Sequence, residues 1–272
     1  MNNRILVLGS NGKTGKRVYA GLTEKGATVT PASRSSAVPF DWYNESTWQR
    51  ALTGHDSVYI TFQPDLAIPQ STDIITRFVA SAKKADVKKL VLLSGRGESE
   101  SIACENIVRN SGLKNTIVRA SFFMQNFSEG FWLDSILSGE FVIPIVKAKE
   151  PFVDADDIAE VVTEALVSDT LNNKIIEVTG SELLSFKEVI DKIAAALKKE
   201  IKLVEVETDE YAALLRSFQM PEDYVSLIIY LFTEVFDGRN ESVRMDSEII
   251  LKRNATSFNQ FINNTIAAGL WS

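Results

Sequence analysis

The first 120 residues alternate short apolar runs with amphipathic stretches, and this alternation predicts the secondary structure. Short runs rich in β-branched residues predict buried strands, whereas apolar residues at every third or fourth position predict helices. On this basis we expect strands over 4–8, 27–32, 38–42, 57–61, 89–93 and 115–118. We expect helices between them over 14–25, 46–52, 73–84 and 100–110, with Ser46 as the N-cap of the second helix.

Strands that alternate with helices at this spacing predict a parallel sheet covered by helices on both faces. The expected fold class is therefore α/β, a Rossmann-type doubly wound parallel sheet. Such sheets bind ligands outside the carboxyl ends of their strands, at the point where the strand order reverses. Ligand-binding and catalytic residues are therefore expected directly after the strands.

The pattern changes after about residue 120, where aromatic residues and helix-predicting stretches become more frequent. We predict residues 1–120 to be an NAD(P)-binding Rossmann core. Residues 121–272 form a mixed region that completes the sheet at about 150–180 and builds a smaller, mostly helical substrate lobe. Helices are expected over 122–139, 156–167, 185–198, 209–218, 221–236 and 257–268, and extended segments over 141–146, 175–179 and 201–206.

Charge and composition exclude several classes of protein. The formal net charge of −7 argues against a nucleic-acid partner, because such domains are usually basic. The single cysteine, Cys104, excludes an internal disulfide, and the single histidine, His55, excludes a two-histidine zinc site. We expect His55 to be a surface turn residue. No acidic cluster has the spacing of metal ligands, and no apolar run has transmembrane length, so a cytoplasmic protein without a metal or a membrane partner is expected.

A glycine-rich turn follows the first predicted strand and carries the strongest chemical signal. Its sequence is Gly9-Ser10-Asn11-Gly12-Lys13-Thr14-Gly15. In a strand–turn–helix context, Gly9 allows the sharp exit, Gly12 leaves room for a pyrophosphate, and Gly15 allows close packing of the helix on the sheet. The N–H groups of the helix N-terminus then face the phosphates. We therefore predict dinucleotide binding by Gly9, Ser10, Asn11, Gly12, Thr14 and Gly15.

The end of the second strand indicates which dinucleotide binds. NAD-binding folds usually carry an acidic residue there to hold the ribose 2′-OH, whereas this chain has Ser33-Arg34-Ser35. An arginine pairs with a 2′-phosphate, so NADP(H) is favoured over NAD(H), with Ser33 and Arg34 as ligands. The alternative is that Arg34 is a solvated surface residue.

Two further positions are predicted to line the cofactor. Asp41 lies at the carboxyl end of the third strand, where an acid can accept the adenine amino group, although it could equally be a turn residue. Phe62, Gln63 and Pro64 follow the fourth strand, where the backbone commonly runs past the ribose and nicotinamide of the cofactor.

Several motifs together resemble one family. They are the glycine turn, Ala32-Ser33-Arg34, Leu93-Ser94-Gly95, the run 116–119, the run 122–127 and Pro151-Phe152-Val153-Asp154-Ala155-Asp156-Asp157-Ile158-Ala159. In order and spacing they resemble the NmrA-like, atypical short-chain dehydrogenases, in particular the branch of type-2 NADPH quinone oxidoreductases and festuclavine- or agroclavine-type iminium reductases. The resemblance implies six or seven parallel strands and a small C-terminal substrate lobe. The family also includes members that only sense the NADP redox state.

The usual catalytic pair of short-chain dehydrogenases does not occur in this sequence. Those enzymes use Tyr-x-x-x-Lys to donate a proton to the substrate oxygen, and none of the six tyrosines is followed by lysine at that spacing. The candidates to orient or polarise a substrate are Ser94, which ends the fifth strand, and Asn126, which the family resemblance places near the nicotinamide. Each could instead be structural, Ser94 as a turn residue and Asn126 as a capping or surface amide.

An aromatic stretch after the sixth strand could line an apolar substrate slot, or belong to the core. Its members are Phe122, Phe123, Phe127, Phe131 and Trp132, with Gln125 as a polar neighbour. We therefore expect an NADPH-dependent oxidoreductase that transfers hydride to a small conjugated substrate such as a quinone or an iminium. The alternative is a non-catalytic NADP(H) redox sensor that regulates a protein partner. A sugar-nucleotide epimerase ranks third because it too needs the absent pair, and the oligomeric state is left open.

Overall fold

A seven-stranded, wholly parallel sheet forms the centre of the part of the chain that carries the glycine turn. The computed structural model describes residues 3–130 and 132–271, and these fall into two units. The first unit comprises Met1–Ala120, Ala155–Val178 and Asp246–Arg253. The second comprises Ser121–Asp154, Thr179–Met245 and Asn254–Ser272.

The strands of the first unit are numbered in chain order through both units. They are β1 (Arg4–Leu8), β2 (Thr28–Ser33), β3 (Val38–Pro39), β4 (Ser57–Ile60), β5 (Lys89–Gly95), β6 (Lys114–Ala120) and β8 (Lys174–Val178). Their order in the sheet is β3-β2-β1-β4-β5-β6-β8, so the strand order reverses between β1 and β4. This order confirms the predicted Rossmann-type doubly wound sheet.

The helices of the first unit connect these strands and cover the sheet. They are α1 (Lys13–Glu24), α2 (Trp48–Leu52), α3 (Ser71–Lys84), α4 (Ser101–Arg109), α6 (Ala155–Val167) and α10 (Asp246–Leu251). β4 is buried at all four positions, and β1 at all but the first, because the sheet is covered on both faces. Their continuous apolar runs, rather than an alternating pattern, follow from this burial.

The second unit has a core of aromatic rings around a two-stranded parallel sheet. The strands are β7 (Glu140–Pro144) and β9 (Lys202–Val206), and the helices are α5 (Trp132–Ser138), α7 (Phe186–Leu197), α8 (Thr208–Ser217), α9 (Glu222–Tyr230) and α11 (Phe258–Ala267). Phe127 lies at the centre of the ring cluster, 5.0 Å from Trp132 and 5.6 Å from Phe152 between ring centroids. Such edge-on and tilted ring pairs stabilise a core beyond the area that they bury.

The structure corrects three expectations about local structure. The helix predicted over 122–139 is an extended segment, a single 3₁₀ turn at Met124–Phe127 and the short helix α5. Residue Ser46 does not cap its helix, because Asn44 accepts the Ser46 N–H at the start of a 3₁₀ turn. His55 is buried rather than on the surface, with Nε2 2.8 Å from Thr30 Oγ1. The short helix α10 was not anticipated.

None of the helices within residues 3–130 and 132–271 combines the length and the apolar character needed to cross a membrane.

Candidate functional site

The glycine turn joins β1 to α1 with no room for a side chain at two of its positions. Gly9 has φ +62°, in the left-handed region that favours glycine, and its carbonyl accepts the Gly12 N–H at 2.8 Å. A Cβ at Gly15 would stand 2.1 Å from the Gly9 carbonyl oxygen. Only glycine at position 15 therefore lets α1 begin this close to the end of β1.

The same turn lies against the segment that follows β4, the neighbour of β1 across the reversal of strand order. A Cβ on Gly9 would lie 2.6 Å from Thr61 Cγ2, and one on Gly12 would lie 3.9 Å from Gln63 Nε2. Gly12 is thus flanked by the exposed Gln63 side chain. The structure brings these predicted cofactor residues together at the edge where such sheets bind ligands.

Helix α1 begins without a side-chain cap. Gly12 stands at the N-cap position with extended backbone, its lack of a side chain leaves no cap hydrogen bond, and the first turn holds no acidic residue. The positive end of the helix dipole is therefore not compensated by a carboxylate, which suits an anionic group. The Thr14 hydroxyl accepts a hydrogen bond of 2.8 Å from the buried Tyr59 phenol, which fixes the side chain and leaves both its O–H and its backbone N–H as donors for a phosphate.

Four serines and one asparagine form a hydroxyl cluster beside the turn, at the carboxyl ends of β1 and β2. Asn11 Nδ2 donates to Ser33 Oγ at 2.9 Å and to Ser35 Oγ at 3.0 Å. Ser36 Oγ lies 2.6 Å from Ser33 Oγ and 3.3 Å from Ser10 Oγ. These hydroxyls can both donate and accept, so the hydroxyl cluster can turn its donors toward an oxyanion.

Arg34 lies between the serines in sequence and is exposed. Within the described residues it has no hydrogen bond or ion pair. No acidic residue occurs in β2 or in the three residues after it. The carboxyl end of β2 therefore presents one guanidinium and several hydroxyls, a donor set that matches a phosphate better than a ribose hydroxyl.

The two remaining predicted cofactor positions are the segment after β3 and the segment after β4. Asp41 Oδ1 accepts the Tyr43 N–H at 3.0 Å, which is the turn role that the sequence left open. The Phe62 side chain is buried, with its ring centroid 5.0 Å from that of Trp42. Gln63 and Pro64 continue this segment through a cis peptide bond.

Ser94 lies at the carboxyl end of β5 in a buried ionic network. Its hydroxyl donates to Glu105 Oε1 at 2.8 Å, and Arg119 on β6 binds both oxygens of the same carboxylate, at 2.8 and 2.6 Å. Glu105 is only 1 % exposed, so the bidentate arginine and the serine compensate a buried charge. The catalytic role of Ser94 stays a prediction, and this geometry favours the structural alternative.

Two carboxyl groups that the sequence did not single out meet at the carboxyl ends of β4 and β5. Asp65 and Glu98 are hydrogen-bonded to each other, and Ser101 Oγ donates to Glu98 Oε2 at 2.7 Å. Burial, and then the charge of Asp65, raise the pKa of Glu98 well above its usual range, and burial also raises the pKa of Asp65. The sequence did offer one signal for this pair, because Asp65 and Glu98 each lie a few residues beyond the end of one of two neighbouring parallel strands.

The predicted substrate residues of the second unit have mixed environments. Gln125 is buried and donates to Asp154 Oδ1 at 2.7 Å, whereas Asn126 is half-buried and its backbone N–H donates to the Phe123 carbonyl at 3.1 Å. Phe122 and Phe123 are half-buried.

Phe127 has 0 % exposure, which favours the core alternative over the substrate slot. Trp132 is a core residue as well. Phe131 lies outside the described residues. Among residues 3–130 and 132–271, no group of three or more His, Cys, Asp or Glu side chains could hold a metal ion.

Comparison with known proteins places the chain in a family. Its sequence matches the NmrA-like family over residues 1–261. It is 27% identical to agroclavine dehydrogenase of Claviceps fusiformis, covering 96% of each chain. It is 26% identical to prestalk A differentiation protein A of Dictyostelium discoideum, covering 97% of this chain and 92% of that protein.

A solved structure shares the fold at lower identity. It is an NADPH-dependent quinone oxidoreductase of Escherichia coli in complex with NADPH, with a TM-score of 0.82 and 16% identity over 96% of this chain and 99% of that one. The family match spans nearly the whole chain, and the resemblance first noted from the motifs is confirmed. This protein belongs to the NmrA-like family.

Proposed function

We propose that this chain is an NADPH-dependent reductase of a small conjugated substrate such as a quinone or an iminium. The observation that carries the proposal is the pairing of the glycine turn with an acid-free donor set at the end of β2. The close approach at Gly15 and the α1 N-terminus without an acidic residue fit a pyrophosphate. The hydroxyl cluster and Arg34 fit a 2′-phosphate.

In the proposed site, each phosphate of the cofactor has a binding group in this chain. The backbone N–H groups at the start of α1 hold the pyrophosphate, and Ser33, Ser35 and Arg34 hold the 2′-phosphate. When bound, NADPH would supply a hydride, which carries both electrons of the reduction. We assign Gln63 a contact with the cofactor beyond its phosphates, because its side chain is exposed beside Gly12.

The choice of substrate class follows from the absence of one catalytic proton donor, the Tyr-x-x-x-Lys pair, from the sequence. No Tyr-x-x-x-Lys pair occurs in the sequence, and the Ser94 hydroxyl donates to Glu105. An iminium carbon is already electrophilic, and a reduced quinone can take its protons from water. Such substrates need orientation more than a protein acid. The relatives point the same way, since one is named agroclavine dehydrogenase and a structural neighbour is a quinone oxidoreductase.

The test of activity is the loss of nicotinamide absorbance when the protein is mixed with NADPH and a panel of quinones, iminium salts, ketones and aldehydes. We expect turnover with quinones or iminium salts and little with simple ketones and aldehydes, because the latter need a proton donor. Efficient turnover of ketones alone would contradict the proposed substrate class.

The test of the 2′-phosphate assignment is Arg34→Asp. We expect the Kd of NADPH to rise by about tenfold or more, because a charge-assisted contact becomes a repulsive one, while the Kd of NADH changes little. Arg50→Asp is the matched control, since Arg50 is another exposed arginine, on α2 and outside the proposed site. Equal NADPH affinity in the two variants would refute the assignment.

A redox sensor is the second candidate. The missing Tyr-x-x-x-Lys pair favours it, and one relative, the prestalk A differentiation protein, is named for a developmental role rather than an activity. For a sensor, we expect a clear difference between the Kd values of NADP⁺ and NADPH, with no turnover across the panel. Turnover with any substrate excludes a purely sensing role.

A further inference from the structure

We propose that Asp65 and Glu98 form a positioning pair for the cofactor site, in which one proton shared between two carboxyl groups holds the segment after β4 to the segment after β5. The two residues are called the carboxyl pair below. The inference rests on the proposed function, because the segment after β4 is where the cofactor is expected to run. It adds two residues to that site which do not themselves contact the cofactor.

The packing of Glu98 fixes the carboxyl pair in place. Its side chain occupies the space directly over Gly95, where a Cβ would stand 1.9 Å from Glu98 Oε1. Glu98 is 8 % exposed, and Ser101 at the start of α4 donates to its Oε2 at 2.7 Å. The Glu98 carboxyl is therefore held between the end of β5 and α4, with its remaining hydrogen bond directed to Asp65.

Asp65 anchors the other side of the carboxyl pair. Its Oδ1 accepts the Ala67 N–H at 2.9 Å, which closes a turn in the segment after β4. A hydrogen bond between two carboxyl groups needs a proton on one of them, because an ionised carboxylate has no donor. We place that proton on Glu98, with Asp65 as the acceptor, because burial and the Asp65 charge raise the pKa of Glu98 well above its usual range.

A short stretch of chain connects the carboxyl pair to the glycine turn. Thr61 contacts the turn at Gly9, Gln63 lies beside Gly12, and Asp65 follows two residues later. Holding Asp65 against Glu98 therefore fixes the segment that contributes both Thr61 and Gln63 to the turn. If the carboxyl pair separates, this segment loses its anchor on the β5 side.

The neighbouring charges that raise the pKa of Glu98 are acidic. The negative charges of Asp65 and Glu100 both raise the pKa of the Glu98 carboxyl. Burial raises the pKa of the Cys104 thiol on α4, and the charges of Asp65 and Glu105 raise it further, so the thiol is neutral at neutral pH. Arg96 directs its Nε to Glu177, at 3.1 Å. A proton shared between the two carboxyl groups removes the repulsion that two ionised carboxylates would have at this distance.

The first test measures the Kd of NADPH from nicotinamide fluorescence between about pH 6 and about pH 10, for the wild-type chain and Glu98→Gln. Relative to Glu98→Gln, we expect the wild-type Kd to rise by about fivefold or more toward alkaline pH, because two ionised carboxylates repel each other. The glutamine amide donates to Asp65 at every pH. Asp73→Asn, which removes an exposed charge at the start of α3, should follow the wild type. Parallel profiles for wild type and Glu98→Gln overturn the proposal.

A second variant separates positioning from proton transfer to substrate. Glu98→Ala removes the hydrogen bond at every pH, so we expect a raised Kd of NADPH throughout, with kcat at saturating NADPH within about twofold of wild type. Glu98→Gln should restore the wild-type Kd near neutral pH. A loss confined to kcat would mean that the carboxyl pair delivers protons to substrate, and it would overturn the positioning role.

The shared proton can also be observed without NADPH and without turnover. The infrared spectrum of the wild-type chain at neutral pH should contain a protonated carboxyl band that Glu98→Gln lacks and Asp73→Asn retains. If the wild-type chain binds NADPH at no pH, the proposed function fails while this band still tests the carboxyl pair. Absence of the band from the wild-type spectrum overturns the shared proton.

Discussion

The carboxyl ends of β1 and β2 differ sharply in chemistry from those of β5 and β6, although they lie along one edge of the same sheet. The first region holds glycines, neutral hydroxyls and the exposed Arg34, with no acidic residue in β2 or directly after it. The second holds Glu105 and Arg119, whose charges are bound to each other and to Ser94. The difference teaches that the ends of β1 and β2 have hydrogen-bond donors available for an anion. At the ends of β5 and β6, the ionisable groups are already paired with each other.

This contrast indicates where function can reside. A ligand gains most where donors are already in place and are not compensated by an acid. A buried ion pair whose partners satisfy each other contributes specificity of structure rather than chemistry. The experiments below test each side of the contrast, in order of decreasing expected effect.

Arg119→Met should have the largest effect, on stability. It leaves the Glu105 carboxylate buried with the Ser94 hydroxyl as its one remaining hydrogen-bond partner within residues 3–130 and 132–271, so we expect the free energy of unfolding to fall by about 3 kcal/mol in denaturant titrations. The double variant Glu105→Gln/Arg119→Met removes the uncompensated charge and should recover a large part of the loss. If the double variant is no more stable than Arg119→Met, the loss does not come from the buried carboxylate.

Gly15→Ala should affect both stability and binding on the other side of the contrast. The added Cβ meets the Gly9 carbonyl oxygen at 2.1 Å, so α1 must shift away from β1. We expect a loss of about 1–3 kcal/mol in the free energy of unfolding and a marked loss of NADPH affinity. Gly21→Ala is the control on the same helix, where the nearest atom is the Thr163 hydroxyl at 3.2 Å. Wild-type NADPH affinity in Gly15→Ala would contradict the assigned role of the turn.

The carboxyl pair predicts how stability depends on pH. Burial raises the pKa of Glu98 in the folded state above its unfolded value of about 4.3, so the folded state retains a proton that the unfolded state loses. This stabilisation is fully present below about pH 4 and is lost as pH rises through the folded pKa, with a slope of at most about 1.4 kcal/mol per pH unit.

The measurement is the difference in unfolding free energy between wild type and Glu98→Gln as a function of pH. His55 acts with the opposite sign, because burial lowers its pKa, but it is present in both chains and cancels from the difference. A difference that stays constant with pH would mean that Glu98 does not hold a proton in the folded state.

The contrast also explains which parts of the molecule could be predicted from the sequence. β1 was predicted to the residue, and α1 to within one residue at each end, because burial on both faces and a glycine turn leave clear local signals. The stretch 122–139 was not, because Phe123 and Met124 pair with the distant Val153, and this tertiary pairing overrides the local helical pattern. The carboxyl pair was missed for the same reason: Asp65 and Glu98 become neighbours only through the adjacency of β4 and β5.

Ser94→Ala has the smallest expected effect and gives the sharpest test of the second region. Removing the hydroxyl leaves Glu105 with both hydrogen bonds from Arg119, so we expect a loss of about 1 kcal/mol in stability and turnover within about twofold of wild type. A hydroxyl that took part in proton transfer would instead cost about 10²–10⁴-fold in turnover. Thr116→Val is the matched control, because that hydroxyl is also buried and donates to the Leu171 carbonyl at 2.8 Å. If only Ser94→Ala lost turnover, Ser94 would act in catalysis despite its bond to Glu105, and the second region would no longer be purely structural.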